Sequence, residues 1–258
     1  MRRLVIALLA STALAGTASA ADLARKSVPY TPVPAAPTWT GFYVGGFIGY
    51  GWGSDDWTNS DESWSNFSPD FDGFLGGLQI GYDYQFPTNF IVGVQADIAW
   101  ASLEGSSSYA GTYDGGARRF SGTVKSESQW ISTLTGRIGF SADRALFYIK
   151  GGAAWADFSH SNQLTERRDF GEGIATDDYY GKHSDTRSGW TLGFGVEYAF
   201  APNWTAFLEY DYYDFGGKTY ILDYGPWAQT FKLDTDISAV KIGVNYRFNG
   251  PTAVSARY

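Results

Sequence analysis

His160 and His183 are the only imidazoles in this 258-residue chain, and cysteine is absent. That inventory removes thiolate nucleophiles, disulfide frameworks and thiolate metal sites together, and leaves acid–base work to two histidines and the carboxylates. His160 precedes Ser161, a base type beside a nucleophile type, but the spacing is wrong for a working pair and both fall past the end of a strand. They read as solvated, and no catalytic residue is expected. Asp70-Phe71-Asp72-Gly73 echoes a calcium loop behind Asp55, Asp56, Asp61 and Glu62, yet the remaining ligands and the closing glutamate are missing. A solvated acidic loop is expected, with divalent cations or surface partners as the alternative, and no metal site is assigned. Gly45-Gly46, Gly76-Gly77 and Gly151-Gly152 have no helix after them, so they mark strand curvature rather than a phosphate-binding loop. No cofactor follows from these residues.

A second set of charges is placed more regularly. In 238–248, Val240, Ile242, Val244, Tyr246 and Phe248 share one face of a strand, and Lys241, Gly243, Asn245 and Arg247 share the other. Seven further stretches alternate in the same way, 40–52, 73–86, 90–103, 130–140, 145–158, 189–200 and 204–215. Their polar faces hold Asp83, Asp97, Arg137, Lys150, Glu197, Glu209 and Asp211 beside Lys241 and Arg247. Four cations thus stand against five anions, and an enclosed charge without a partner is costly. Counted from the aromatic at one end of each strand, Arg137, Lys150 and Glu197 fall at one level, and Lys150 is expected to pair with Glu197. Asp211 and Lys241 share a second level.

The elements that carry these charges are apolar outside and polar inside, the arrangement a lipid-embedded barrel requires. Bulky aromatics recur ten positions apart on the apolar face, from Phe42 to Trp52, Phe90 to Trp100, Trp130 to Phe140 and Trp190 to Phe200. Ten residues rise about 33 Å, which a tilt near 40° projects to about 25 Å, the height of the apolar band between aromatic girdles. Trp155, Trp204 and Phe248 extend the two belts. Connections alternate in length: 87–89, 141–144 and 201–203 are turns, whereas 53–72, 104–129, 159–188 and 216–235 are long polar loops. The third loop mixes Glu166, Arg167, Arg168, Asp169, Asp177, Asp178, Lys182 and Asp185, and reads as solvated.

The chain opens with Arg2, Arg3, a short apolar run and Ala18-Ser19-Ala20, the order of a secretory leader that is too short to span a membrane. Loss of residues 1–20 takes the net charge from −8 to −10, which argues against nucleic acid as a partner. Residues 21–37 carry four prolines and form an extended periplasmic tail. No apolar run after residue 20 is long enough for a helical span, so spanning falls to a closed sheet.

Thr38-Trp39-Thr40-Gly41-Phe42-Tyr43-Val44-Gly45 behind a proline-rich tail, and Gly243-Val244-Asn245-Tyr246-Arg247-Phe248 at the close, resemble the small outer-membrane β-barrel family of alphaproteobacteria. That family is described as porin-like or opacity-like and includes surface antigens and some haemin binders. The chain departs from the general outer-membrane pattern in continuing past Phe248, and 249–258 is expected to be a tail. The fold expected is all-β, an eight-stranded antiparallel transmembrane up-and-down β-barrel over 38–248. The resemblance implies a structural, surface-exposed role in the outer membrane, with envelope lipid, the barrel-assembly machinery and a host or surface ligand as partners. Porin-like transport of small solutes is the alternative, and haemin binding through the loops a minor one.

Overall fold

The computed structural model describes residues 38–59, 70–113, 118–169, 173–223 and 228–248. The leader, both tails, and Asp61 and Glu62 lie outside the described residues. Eight antiparallel strands follow in chain order: β1 (Gly41–Asn59), β2 (Asp70–Gln85), β3 (Phe90–Tyr113), β4 (Arg118–Ala142), β5 (Ala145–Asp169), β6 (Ile174–Ala201), β7 (Trp204–Asp223) and β8 (Ala228–Arg247). Each pairs with its neighbour in sequence, and β8 pairs with β1, so the sheet closes.

The stagger of that closure fixes the bore. Partners followed from Tyr43 run through Gly81, Gln95, Thr135, Gly152, Thr191, Tyr213 and Ile237 and return to β1 at Gly53, ten residues from the start. Eight strands with a shear of ten tilt about 40° and enclose a backbone cylinder of radius about 8 Å. Side chains fill such a cylinder.

The strands are longer than the sequence pattern suggests. Nearly all the described residues of the expected loops 104–129, 159–188 and 216–235, and those of 53–72, are instead continuations of the strands past the aromatic belt. Their serines, threonines and charges on both faces keep the extended backbone while erasing the hydropathy alternation, so the strands run on unseen. The turns at the other end are tight, at 86–89, 143–144 and 202–203. Asn89 and Asp143 adopt φ of 64° and 54° there, a left-handed conformation that Asn and Asp tolerate.

Beyond the belt the ring divides. The β6–β7 ladder ends at Trp190↔Asp214, whereas β5–β6 continues to Asp169↔Ile174 and β7–β8 to Asp223↔Ala228. One wing is therefore built from β3–β6 and a second from β7, β8 and β1.

The bore is layered rather than uniformly polar. Trp39, Ile91, Leu146, Tyr148 and Ala199 form an apolar floor near the short turns. Phe47, Leu75, Leu103, Phe158, Phe207 and Phe215 belong to a larger apolar cluster toward the wings.

Candidate functional site: the charged interior

Ionised side chains between the apolar layers sort into two clusters. In the lower one, Arg137 grips Asp83 with Nε to Oδ1 at 2.7 Å and Nη2 to Oδ2 at 2.5 Å, and reaches Glu197 at 3.2 Å. Arg247 donates to the same two carboxylates at 2.8 Å and 3.0 Å. The Tyr43 ring lies between the guanidiniums, 4.9 Å from each. Glu197 also accepts from Thr205 at 2.5 Å and Asn245 at 3.0 Å. Two arginines face two carboxylates, and the cluster is neutral.

In the upper cluster Lys150 meets Glu209 at 2.7 Å and Asp211 at 3.2 Å, and Lys241 meets Asp211 at 2.7 Å and Asp97 at 3.6 Å. Tyr148 donates to Glu209, Tyr213 to Asp211 and Thr133 to Asp97. Here three carboxylates face two ammonium groups, and hydroxyl donors satisfy the additional anion. All of these charged groups are buried, so each contact acts in a medium where attraction is stronger than in water and loss of a partner is costly.

The expected Lys150–Glu197 pair is replaced by Lys150–Glu209. Phe147 lies opposite Val196, not Phe200, so β6 is displaced by four residues relative to the count that placed Glu197 beside Lys150. Between β4 and β5 the two aromatics do align, Phe140↔Phe147, and Arg137 lies opposite Lys150.

Glycine makes room for the carboxylates. Gly93 lies directly across from Asp83 and Gly193 from Asp211, and a Cβ at either glycine would stand 2.1 Å from the carboxylate oxygen.

The aromatics assigned to the belts all lie on the outer face. Phe42, Phe90, Phe140, Phe200, Trp204 and Phe248 are exposed at the short-turn end, and Trp52, Trp100, Trp155 and Trp190 at the wing end, where Trp130 is half-buried. Phe90 pairs with Phe140 and Trp100 with Trp130 across the β3–β4 ladder. Between the belts Ile48 is 69% exposed and Phe74 76%, an apolar sheet face of the kind that a bilayer core solvates.

The sequence missed a polar group above the apolar cluster. Asp55, expected in a solvated loop, is fully buried and accepts from Ser126 at 2.7 Å and Thr235 at 2.6 Å. His160, likewise expected in solvent, is buried on β5 with Nδ1 3.1 Å from Ser126 Oγ. Burial outweighs the Asp55 charge and holds the His160 pKa below its ordinary value. His183 lies opposite it on β6 and is exposed. Asp70 and Asp72 open β2 rather than a cation loop, and Asp72 accepts from Tyr50 Oη. Among the described residues no group of three or more His, Asp or Glu is placed to hold a metal ion.

Arg187 is the other residue without a sequence signal. It is buried, stacks on Phe158 at 5.6 Å, and donates to Thr235 Oγ1 at 2.8 Å, to the Leu233 and Phe215 carbonyls at 3.2 Å and 3.3 Å, and to the Gly216 carbonyl. These acceptors lie on or beside β7 and β8 where the β6–β7 ladder has stopped. A side chain thus supplies the donors that the backbone no longer does.

An outward lipid-facing band, a closed sheet and an enclosed charged interior describe a transmembrane barrel, and residues 6–258 match the outer membrane protein β-barrel domain family. The chain belongs to that family. This outer-membrane barrel is 31% identical to the 31 kDa outer-membrane immunogenic protein of Brucella melitensis, over 96% of this chain and 100% of the relative. It is 28% identical to the 22 kDa outer membrane protein of Rhizobium leguminosarum, over 96% and 100%. Ail, the attachment invasion locus protein of Yersinia pestis, superposes with a TM-score of 0.36 at 16% identity, over 81% of this chain and 99% of Ail. The barrel resides in the outer membrane, where short turns lie on the periplasmic side and the wings face outward.

Proposed function

We propose that this barrel is a closed, non-enzymatic envelope protein, which stiffens the outer membrane and makes contact with the surroundings through its two wings. The observation that supports the reading is the filling of the bore. Two buried charge clusters, each held by two cations, lie between apolar layers inside a cylinder of radius about 8 Å. A hydrated solute would have to displace several buried ion pairs at once, each costing about 3–5 kcal/mol to break. The lumen network of Asp83, Asp97, Arg137, Lys150, Glu197, Glu209, Asp211 and Lys241 serves closure and rigidity rather than passage.

Ser126, Asp55 and His160 contain the residue types of a hydrolytic triad in a different arrangement. Ser126 donates to Asp55, so the carboxylate holds the hydroxyl rather than the imidazole, and all three are buried. His160 Nδ1 stands 3.1 Å from that hydroxyl, but the hydroxyl proton is directed at Asp55 instead of the imidazole, and burial of all three residues keeps a substrate away.

The test is conductance of the folded full-length protein in planar bilayers. Closure predicts no large steady steps. Steps of the size given by trimeric general porins would establish transport instead.

A further inference from the structure

The wing of β3–β6 carries a cationic face on an acidic protein. Successive ladders align Thr112, Arg119, Arg167 and Thr176 across four strands, and six residues nearer the membrane align Ser106, Lys125, Ser161 and Lys182. Directly paired residues share a face, and this one points away from the barrel axis, because Ser126 and His160, of the opposite parity, point into it. Arg119, Arg167, Lys125 and Lys182 therefore form two cationic rows about 20 Å apart along the strands.

Arg119 and Arg167 are direct cross-strand partners, and like charges so placed repel. Among the described residues none of the four cations makes an ion pair, whereas neighbouring Arg168, on the opposite face, is held by Glu166 and Asp177. Among the described residues Asp178 is the one carboxylate on this face between the rows, and its Oδ1 accepts the Thr165 hydroxyl at 2.6 Å, while the Glu104–Glu127 pair two residues below Ser106 and Lys125 marks the membrane-side end of the cationic face. A concavity of about 550 Å³ opens beside the upper row, lined by Arg119, Arg167, Thr112, Thr165 and Thr176 among others. Between the rows lie hydroxyls, the Gln163 amide and the ring of Tyr180, which is 73% exposed. Guanidinium forks match sulfate and phosphate oxygens, hydroxyls and amide match sugar hydroxyls, and an exposed aromatic offers a flat apolar surface. That mixture fits an anionic sugar chain better than a bare phosphate. Arg119 lies eleven residues beyond Trp130 on β4, about 28 Å above the aromatic belt. Phospholipid headgroups are out of reach of the upper row, whereas the lower row, five residues beyond Trp130, stands about 13 Å above the belt, and the lipopolysaccharide arm of the test addresses it.

We propose that the two rows, Arg119–Arg167 and Lys125–Lys182, form a site for a linear sulfated polysaccharide that lies along the strands and spans both. The site rests on the proposed envelope role only in taking the wings as the outward contact surface, and it neither requires nor forbids conductance. An anion between Arg119 and Arg167 removes their mutual repulsion, so a bound chain also tightens the upper end of the wing.

The experiment measures binding of full-length protein, folded in nanodiscs of neutral lipid, to immobilised heparin at low salt. Wild-type protein should be retained. Arg119→Gln with Arg167→Gln, and separately Lys125→Gln with Lys182→Gln, should each weaken retention about tenfold or more. Arg144→Gln with Lys232→Gln removes the same charge from other exposed positions and should change it by less than about twofold. Heat-dependent gel mobility checks that every variant is folded. Equal losses in all three double variants would reduce the effect to net charge and overturn the site. So would unchanged binding in the arginine variant, competition by inorganic sulfate at the same equivalent concentration, or binding only to lipopolysaccharide-containing discs. Conductance recorded on the same preparations keeps failure of the site separate from failure of closure.

Discussion

Arg137 and Lys150 lie directly opposite each other on β4 and β5, yet their cationic ends part into different clusters, Arg137 to Asp83 and Glu197 and Lys150 to Glu209 and Asp211. The separation decides which pairs are coupled. Lys150→Met and Glu209→Gln should each destabilise the barrel in urea unfolding from lipid vesicles, and the double variant should cost less than the sum by about 1–3 kcal/mol. Lys150→Met with Glu197→Gln should be additive within about 0.5 kcal/mol. Coupling in the second cycle and none in the first would place Lys150 in the other cluster.

The β6–β7 seam depends on one side chain. Arg187 donates to carbonyls of Phe215, Gly216 and Leu233, and Lys218 reaches Asp185 across the same gap. Arg187→Met keeps much of the packing on Phe158 and removes every donor, which leaves buried carbonyls without partners. Amide exchange near Asp214 and Arg187 should rise by about tenfold or more while the belt-to-belt strands keep their protection. Uniform loss of protection would mean that Arg187 supports the whole barrel, and unchanged exchange that the seam does not need it.

His160 makes the wings sensitive to acid. Its pKa in the fold lies below the ordinary 6.5, because burial outweighs attraction from Asp55 and Asp185, while Arg187 and His183 add repulsion. The unfolded wing therefore binds a proton that the folded wing does not, and stability is lost as pH falls below about 6.5. Above pH 7 the contribution is constant. Protease resistance of the β5–β6 hairpin should fall between pH 7.5 and 5.5 in wild type and stay level in His160→Gln. A parallel fall in both would assign the effect to the carboxylates.

Much of the fold was legible because period-two alternation reports which face meets lipid. Phe74, Leu78 and Ile80 on β2, or Leu192 and Phe194 on β6, announce membrane strands without any knowledge of their neighbours. Asp83, Lys150 and Glu209 read as interior for the same reason. Register was not legible. It is set by how eight strands close on one another, and one strand's residues do not encode a four-residue offset between Phe147 and Phe200. Nor did the wings show themselves, since strands wetted on both faces have no hydropathy period. Asp55 and His160 thus read as solvated, although strands that run on past the belt bring Ser126 and Thr235 around them and bury both.

Gly193 stands between a cation and its anion, opposite Lys150 on one side and opposite Asp211 on the other. A methyl group there would lie 2.1 Å from Asp211 Oδ1 and 2.8 Å from the Tyr210 carbonyl oxygen. The carboxylate would have to move away from Lys150, while Lys241 at 2.7 Å and Tyr213 at 3.2 Å hold it from the other side. Neither the backbone contact nor the ion pairs can relax freely, so Gly193→Ala should destabilise by about 1–3 kcal/mol, the range for overpacking in a filled interior. Gly151→Ala is the matched control: it lies across from Leu192, the strand neighbour of Gly193, on the lipid side, and its methyl would meet nothing closer than 3.3 Å. It should change stability by less than about 0.5 kcal/mol. Combining Gly193→Ala with Asp211→Asn asks whether the cost is electrostatic. If the methyl acts by driving Asp211 from Lys150, removing the charge first should make the alanine less harmful. Equal cost in both backgrounds would assign the effect to the Tyr210 carbonyl, and equal costs at Gly193 and Gly151 would show that the interior is looser than these distances require.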